Sequence, residues 1–410
     1  MKCRNCGSSK LVSIINLGVS PASNAYLKPN DLLKSEQFTP LEVLICEDCK
    51  LAQTRDYFAS DDLFTSDYAY LSSSSTAWLD HCSNYCEMIT EKLNLRKDDL
   101  ICEVASNDGY LLTNFVEKNL RFFGIEPTKA AAEIAIKKGI ETEILFLSEK
   151  VAANIVDKRG KCDLIIGNNV FAHVPNIIDF TKGLQRLLKK DGTITLEFPH
   201  ILSLLKHNQF DTIYHEHFSY HSLISCIDIV DRAGLQIYDV EELSTHGGSL
   251  RVYLQNKNGL HRISPSVDAL LEKEVDYGLD KTETYLKLRE KALLIRNTLR
   301  ATIIDIKKCG GKIIAYGAAA KGNTLLNFCG ITNQDIDYVF DKSVLKIGKY
   351  TPGSRIPILG ADSITDVEST HVLILPWNIK DEVMDQLISN GVTNKQIITA
   401  IPEVKIESID

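Results

Sequence analysis

The chain has 410 residues, 44% of them hydrophobic and 24% charged, with a formal net charge of −8. That length calls for two or three domains, and the acidic balance argues against a nucleic-acid footprint, which wants a basic face. No apolar run approaches the roughly 20 residues of a membrane span, and Met1–Cys6 opens no apolar leader, so the chain is expected in the cytoplasm with its eleven cysteines reduced.

Cys3-x-x-Cys6 and Cys46-x-x-Cys49 are two CxxC knuckles. Four thiolates in this arrangement suit tetrahedral zinc and leave no open coordination position, so the metal reads as structural. The alternative, four unrelated buried cysteines, leaves the paired spacing unexplained. Residues 56–76 then gather Tyr57, Phe58, Phe64, Tyr68, Tyr70 and a Ser72–Thr76 hydroxyl run. This is either a linker with half-buried tyrosines or a lid that carries a phenol to a site. Trp78–Leu95 has the apolar spacing of an amphipathic helix.

Leu100–Val104 reads as a buried strand, followed by the small turn Ala105-Ser106-Asn107-Asp108-Gly109 and a helix. A second strand, Phe122–Ile125, ends at Glu126-Pro127, where an acid can hold ribose hydroxyls. A dinucleotide reader would prefer bare glycines in the turn. Here Asp108 would repel a pyrophosphate but tolerate a ligand with a sulfonium and an ammonium, so S-adenosylmethionine fits better than NAD. An ordinary βαβ turn remains the plainer alternative. Glu103, Ala105, Ser106, Asn107, Asp108, Glu126 and Pro127 are the candidate cofactor residues. Asn168 and Asn169, at the end of a third strand Cys162–Gly167, complete the set, and His173 follows them where a donor would meet its acceptor.

The chain is organised around Phe198–Tyr220, whose centre is Tyr214-His215-Glu216-His217. Seven of the ten histidines fall between His173 and His246, which marks this region as a site. An imidazole can take a proton near neutral pH, a neighbouring carboxylate can orient it, and a phenol can stabilise developing negative charge. The stretch is read as removing a C–H proton. A His215-x-His217 metal site is the rival reading, and it lacks an evident third ligand.

Ser244–Arg251 carries a glycine pair that suggests close backbone approach, to a ligand or to another strand. A long amphipathic helix, Lys281–Cys309, leads to the strand Lys312–Tyr316. The small turn Gly317–Ala320 with Lys321 at a helix start resembles a phosphate cradle. The loop Lys346–Arg355 is basic and turn-rich and suits a diphosphate, or is simply solvated. His246, Gly247, Ser249, Lys321, Asn323, Lys349, Tyr350 and Arg355 are the candidate substrate residues.

Together these stretches resemble the zinc-containing nucleotide-sugar 3-C-methyltransferases. The likeness rests on the two CxxC knuckles, EVASNDG, GIEP, GNNVFAHV, FPH…YHEHFSY, HGGSLR, GAAAKGNTLLN and KIGKYTPG, and covers nearly the whole chain. The resemblance implies an α/β architecture of three units: a zinc-binding domain over 1–70, a central Rossmann-like methyl-donor domain over 71–260, and a C-terminal Rossmann-like α/β domain over 261–410. It implies active-site roles for Tyr68, His173, Tyr214, Glu216 and His217, and a nucleotide-linked 4-keto-deoxy sugar as acceptor. His217 is then the expected base, with Glu216 orienting it. A monomer is expected. Methylation of another carbon or of a non-nucleotide ketone, and a zinc module with an inactive methyltransferase domain, are the alternatives.

Overall fold

The structure is a computed structural model, and it describes residues 1–59, 63 and 71–409. Tyr68, with most of the segment read as a linker or lid, lies outside the described residues. Among the described residues, no helix is long and apolar enough to cross a membrane.

Three strands open the chain: β1 (Leu11–Ser20), β2 (Thr39–Cys46) and β3 (Ala52–Thr54). Ser75 then caps the helix Thr76–Lys92 by accepting from the Trp78 amide. Next come β4 (Leu100–Val104), β5 (Arg121–Ile125), β6 (Thr142–Glu143), β7 (Cys162–Asn168) and β8 (Leu188–Pro199). All five residues of β4 are buried, as a strand covered on both faces of a parallel sheet must be. β9 (Ser219–Tyr220), β10 (Leu235–Leu243) and β11 (Ser249–Asn256) follow.

The central sheet runs β10-β11-β8-β7-β4-β5-β6. β11 pairs antiparallel with both neighbours and the pairs from β8 to β6 are parallel. Strand order reverses between β4 and β7. β9 does not join this sheet. It crosses to β3 and completes the order β1-β2-β3-β9, so the end of the histidine-rich stretch belongs to the N-terminal sheet.

The helix Thr282–Lys308 buries Tyr285, Leu288, Ala292, Ile295, Leu299 and Ile303, the spacing read from the sequence. It leads to β12 (Ile313–Tyr316), β13 (Val339–Asp341), β14 (Ile358–Gly360), β15 (His371–Ile374), β16 (Lys395–Thr399) and β17 (Lys405–Ile409). Their order is β14-β13-β12-β15-β16-β17, parallel except for β17. Order reverses again, between β12 and β15.

The N-terminal sheet has no core to itself. Ile14, Ile15, Leu17, Val43 and Ile45 share one apolar cluster with Leu288, Ile295 and Leu299 of the long helix and Ile313, Leu325 and Leu373 of the C-terminal unit.

The turn after β4 is tight for a definite reason. Gly109 has φ 75°, and a Cβ there would lie 2.4 Å from Ile140 Cδ1 and 3.1 Å from Ala135 Cβ. Gly109→Ala should therefore cost about 1–3 kcal/mol through overpacking and left-handed strain. Thermal unfolding measures it, and an unchanged midpoint would mean that the turn has room to spare.

Candidate active site

Open α/β sheets bind ligands beyond the carboxyl ends of their strands, where strand order reverses. In the central sheet that place is the turn after β4 and the end of β7. Ala105 and Asn107 take left-handed backbone, φ 59° and 48°, without the help of glycine. Glu126 holds the turn in place, its carboxylate accepting from the amides of Asn107 (2.9 Å) and Thr128 (2.7 Å). Pro127, half-buried, follows at the rim.

Buried polar atoms normally find partners, yet this crevice holds a group that make no hydrogen bond among the described residues. They are Ser106 Oγ, Asp108 Oδ1 and both side-chain ends of Asn168, beside the fully buried carboxyl of Glu103. The other oxygen of Asp108 accepts from Lys138 at 3.0 Å. Burial, then the charges of Glu126 and Asp108, push the Glu103 carboxyl well above the usual carboxylate range, and the nearby Tyr110 phenol offsets this only in part. A pyrophosphate would meet three acids here. A ligand with an ammonium and a sulfonium relieves them, so the donor set suits S-adenosylmethionine.

The histidine-rich stretch is neither strand nor helix at its centre. It is a turn closed by His217 N–H to Tyr214 C=O at 2.9 Å. His217 Nδ1 lies 2.8 Å from the Thr212 carbonyl. A carbonyl only accepts, so Nδ1 carries the proton and Nε2 the lone pair. The Tyr214 ring packs against His217 at 3.9 Å between centroids, and the His173 ring meets it edge-on at 4.6 Å. His173 Nδ1 in turn donates to the backbone carbonyl of Glu216 at 2.8 Å. Burial, aided by His173, holds the His217 ring well below the ordinary imidazole range, and burial lowers His173 to about 4. Both rings are neutral at physiological pH.

The Glu216 carboxylate does not orient His217, contrary to the sequence expectation. It points toward the N-terminal unit, where the amide and side chain of Asn24 donate to Oε1 at 3.1 and 3.2 Å. The Thr212 carbonyl does the orienting. His215 also turns away, to Thr39 Oγ1 at 2.8 Å, so His215 and His217 do not converge on a metal.

A second crevice opens at the reversal between β12 and β15. Lys321 donates to Asn378 Oδ1 at 2.7 Å and lies 4.8 Å over the Trp377 ring. Trp377 Nε1 donates to Asp211 Oδ2 at 2.7 Å. The two crevices face each other. A Cβ on Gly247 would lie 2.5 Å from Trp377, so the glycine pair admits an indole from the C-terminal unit. His246, held at φ 55°, accepts from Asn169 Nδ2 at 2.9 Å. The Lys321 charge helps burial depress both His217 and His246. Asn169, His173, Tyr214, His246 and Lys321 are all half-buried, as the wall of an accessible cleft would be.

Other substrate expectations need correction. Asn323 is fully buried and donates to the Ser23 carbonyl at 2.8 Å, and Ser249 donates to the Thr245 carbonyl at 2.9 Å. Both brace the chain internally. Lys349, Tyr350 and Arg355 are not gathered with Lys321. Tyr350 lines an open groove with Lys312 and Asp337, which precede β12 and β13 at the amino ends of the strands, opposite the end where Lys321 lies. Arg355 is paired with Glu36 at 2.7 Å. The lysine of that loop that reaches the turn after β12 is Lys346, which donates to the Ala318 carbonyl at 2.8 Å.

Sequence reasoning missed Asn24, Asp211, Thr212 and Trp377. Asp211 and Thr212 sit inside the singled-out stretch, and Trp377 directly follows a strand end, but pairwise contacts between units leave no local pattern.

The sulfurs of Cys3, Cys6, Cys46 and Cys49 all lie within 4.8 Å of one another, the one such ligand group among the described residues. Gln53 donates to Cys3 Sγ at 3.3 Å, a partner that favours thiolate. The donor set and spacing fit tetrahedral zinc.

Three family models match the chain: a zinc binding domain over residues 3–64, a methyltransferase domain over 81–240, and a C-methyltransferase C-terminal domain over 244–402. The chain is also 32% identical to the C-methyltransferase NovU of Streptomyces niveus over 412 residues, spanning 100% of this chain and 97% of that one. The chain belongs to the zinc-containing, S-adenosylmethionine-dependent C-methyltransferases. Among solved structures similar to this C-methyltransferase is the magnesium protoporphyrin IX methyltransferase of Synechocystis with bound SAH. It has TM-score 0.34 and 16% identity, and the match covers 43% of this chain and 81% of that one. A methyltransferase from Clostridium acetobutylicum is similar at TM-score 0.35 and 11% identity over 43% and 92% of the two chains.

In this C-methyltransferase β2 joins two functions. Its last residue is the zinc ligand Cys46 and its first, Thr39, holds His215 in the histidine-rich turn. Chelation of zinc, or Cys46→Ser, should lower the unfolding midpoint and cut activity at least about tenfold, since small displacements of catalytic groups are costly. Zinc should restore the chelated protein; full activity in a metal-free sample would break the link. The depressed pKa of His217 has its own signature. The neutral ring persists as pH falls through 6.5, so its NMR signals should not titrate between pH 7.5 and about 5.5; a midpoint near 6.5 would mean that the ring is solvated.

Proposed function

We propose that the protein moves a methyl group from S-adenosylmethionine to C3′ of a nucleotide-linked 4-keto-deoxy sugar. The observation that carries this reading is the opposition of two strand-reversal crevices across one neutral imidazole. One crevice is acidic and suits a cationic donor. The other presents Lys321 and suits an anionic acceptor such as a nucleoside diphosphate. A ligand that spanned the gap would set its sugar beside His217. Membership of a C-methyltransferase family supports a carbon nucleophile.

The carbon flanking a ketone is weakly acidic because its enolate spreads charge onto oxygen. His217 Nε2, with its lone pair fixed by the Thr212 bond to Nδ1, takes the C3′ proton. The Tyr214 phenol stands against His217, where it can donate to the developing charge on the C4′ oxygen, while the neutral His173 ring, its proton committed to Glu216, packs edge-on against the base. Bound S-adenosylmethionine supplies an electrophilic methyl group on a sulfonium. Glu103, Asp108 and Asn168 would hold its charged end and Glu126 its ribose, positioning the donor beside the acceptor site. The proton left on His217 is released to solvent once the product departs. Lys321, with Asn169 and His246, orients the acceptor.

Incubation with S-adenosylmethionine and a panel of TDP-, GDP- and CDP-4-keto-6-deoxyhexoses, read by product mass and NMR, tests the substrate class. A methyl on another carbon, or turnover of a free ketone alone, would refute the C3′ assignment. His217→Asn should abolish methyl transfer and C3′ deuterium exchange while leaving donor binding within about twofold, because the substitution removes the base but not the donor crevice.

A further inference from the structure

The base is aimed by a turn that the C-terminal unit grips from both sides. Phe210–Thr212 is a single tight turn directly before the catalytic residues. Its Thr212 carbonyl receives the His217 Nδ1 proton. One residue earlier, Asp211 is fully buried, and its Oδ2 accepts from Trp377 Nε1 at 2.7 Å. One residue later, the Ile213 carbonyl accepts from Thr324 Oγ1 at 2.9 Å. Trp377 and Thr324 both belong to the C-terminal unit, at the reversal point of its sheet.

We infer that Asp211 and Trp377 are positioning residues, by which the C-terminal unit fixes the tautomer and direction of the His217 ring. The role extends the proposed mechanism and rests on His217 being its base. A buried carboxylate held by an indole N–H is a strong anchor, because losing that donor leaves its charge less well matched. Asp211 is such a group, with the Lys321 charge and the Asp211 and Thr212 amides also supporting it. Its Oδ1 makes no hydrogen bond among the described residues. Burial pushes its carboxyl up to about 6, against the pull of the Lys321 charge and the Trp377 N–H. Without the indole N–H the turn must rearrange or Asp211 must protonate, and either change moves the Thr212 carbonyl off Nδ1. A ring released from Thr212 places its proton on either nitrogen, and the fraction with the lone pair on Nε2 falls. The C-terminal unit thus acts on the base itself, beyond holding the acceptor.

The test uses full-length, zinc-loaded protein with ¹⁵N-labelled histidine and no substrate. His217 signals are assigned by their loss in His217→Gln. The wild type should show the Nδ1–H tautomer at pH 7.5. Trp377→Phe and Asp211→Ala should shift His217 toward mixed tautomers and lower kcat by about 10- to 100-fold, with donor Kd little changed. Asp211→Asn keeps a carbonyl for the indole N–H and should retain the Nδ1–H signature and most of kcat. Unchanged His217 signals in folded Trp377→Phe would overturn the inference, as would a loss confined to acceptor KM. If the signals shift in Trp377→Phe while kcat holds, the positioning stands and His217 is not the base.

Discussion

A neutral imidazole can serve as a base only if its lone pair is presented in a fixed direction, and here one hydrogen bond does this. The Thr212 carbonyl accepts from His217 Nδ1, which leaves the lone pair on Nε2. Everything around that bond keeps it from slipping. Burial removes the competing water and, with the positive field of Lys321, keeps the ring from charging. Asn24 holds Glu216 and Thr39 holds His215 on one side of the turn, while Trp377 and Thr324 hold it on the other. Three parts of the chain distant in sequence therefore meet within the short stretch from Asp211 to His217.

The donor crevice uses a different economy. A glycine-rich turn would admit a phosphate by baring amides. Here Ala105 and Asn107 take the strained backbone positions, and acids take the place of open amides. Glu197 extends the same logic next door. Burial disfavours its charge, but bonds from His81 and Arg251 outweigh this and keep it ionised. His81 stacks on Trp78, which also packs against His246, so ring contacts link this charge pair to the site.

Much of this was legible in the sequence. The zinc ligands were, because thiolate spacing is a local pattern. The long helix was, because its apolar period is unbroken from Tyr285 to Ile303. The β4–β5 unit and its turn were, because a strand, a small turn and a second strand follow one another along the chain. What failed was partnership across units. Glu216 beside His217 looks like an orienting pair, yet adjacent residues in a turn point apart, and the carboxylate went to Asn24. Arg355 looks like a diphosphate ligand until Glu36 is found beside it. The glycine pair at 247–248 foretold a close approach, but nothing local could say that Trp377 was what approached.

The pairing of β9 with β3 bears on how the molecule is made. Thr54 Oγ1 donates to the His217 carbonyl across 163 residues of sequence. During synthesis the metal knuckles and three strands of the first sheet emerge early, with one edge unpaired and their apolar face uncovered. The edge is capped only after the whole donor-binding unit has been made and its chain returns, and the face only when the long helix and C-terminal unit arrive. The nascent N-terminus is thus an exposed template for wrong pairing through most of translation. A metal on Cys3, Cys6, Cys46 and Cys49 would tie the start of β1 to the end of β2, two strands that already pair with each other.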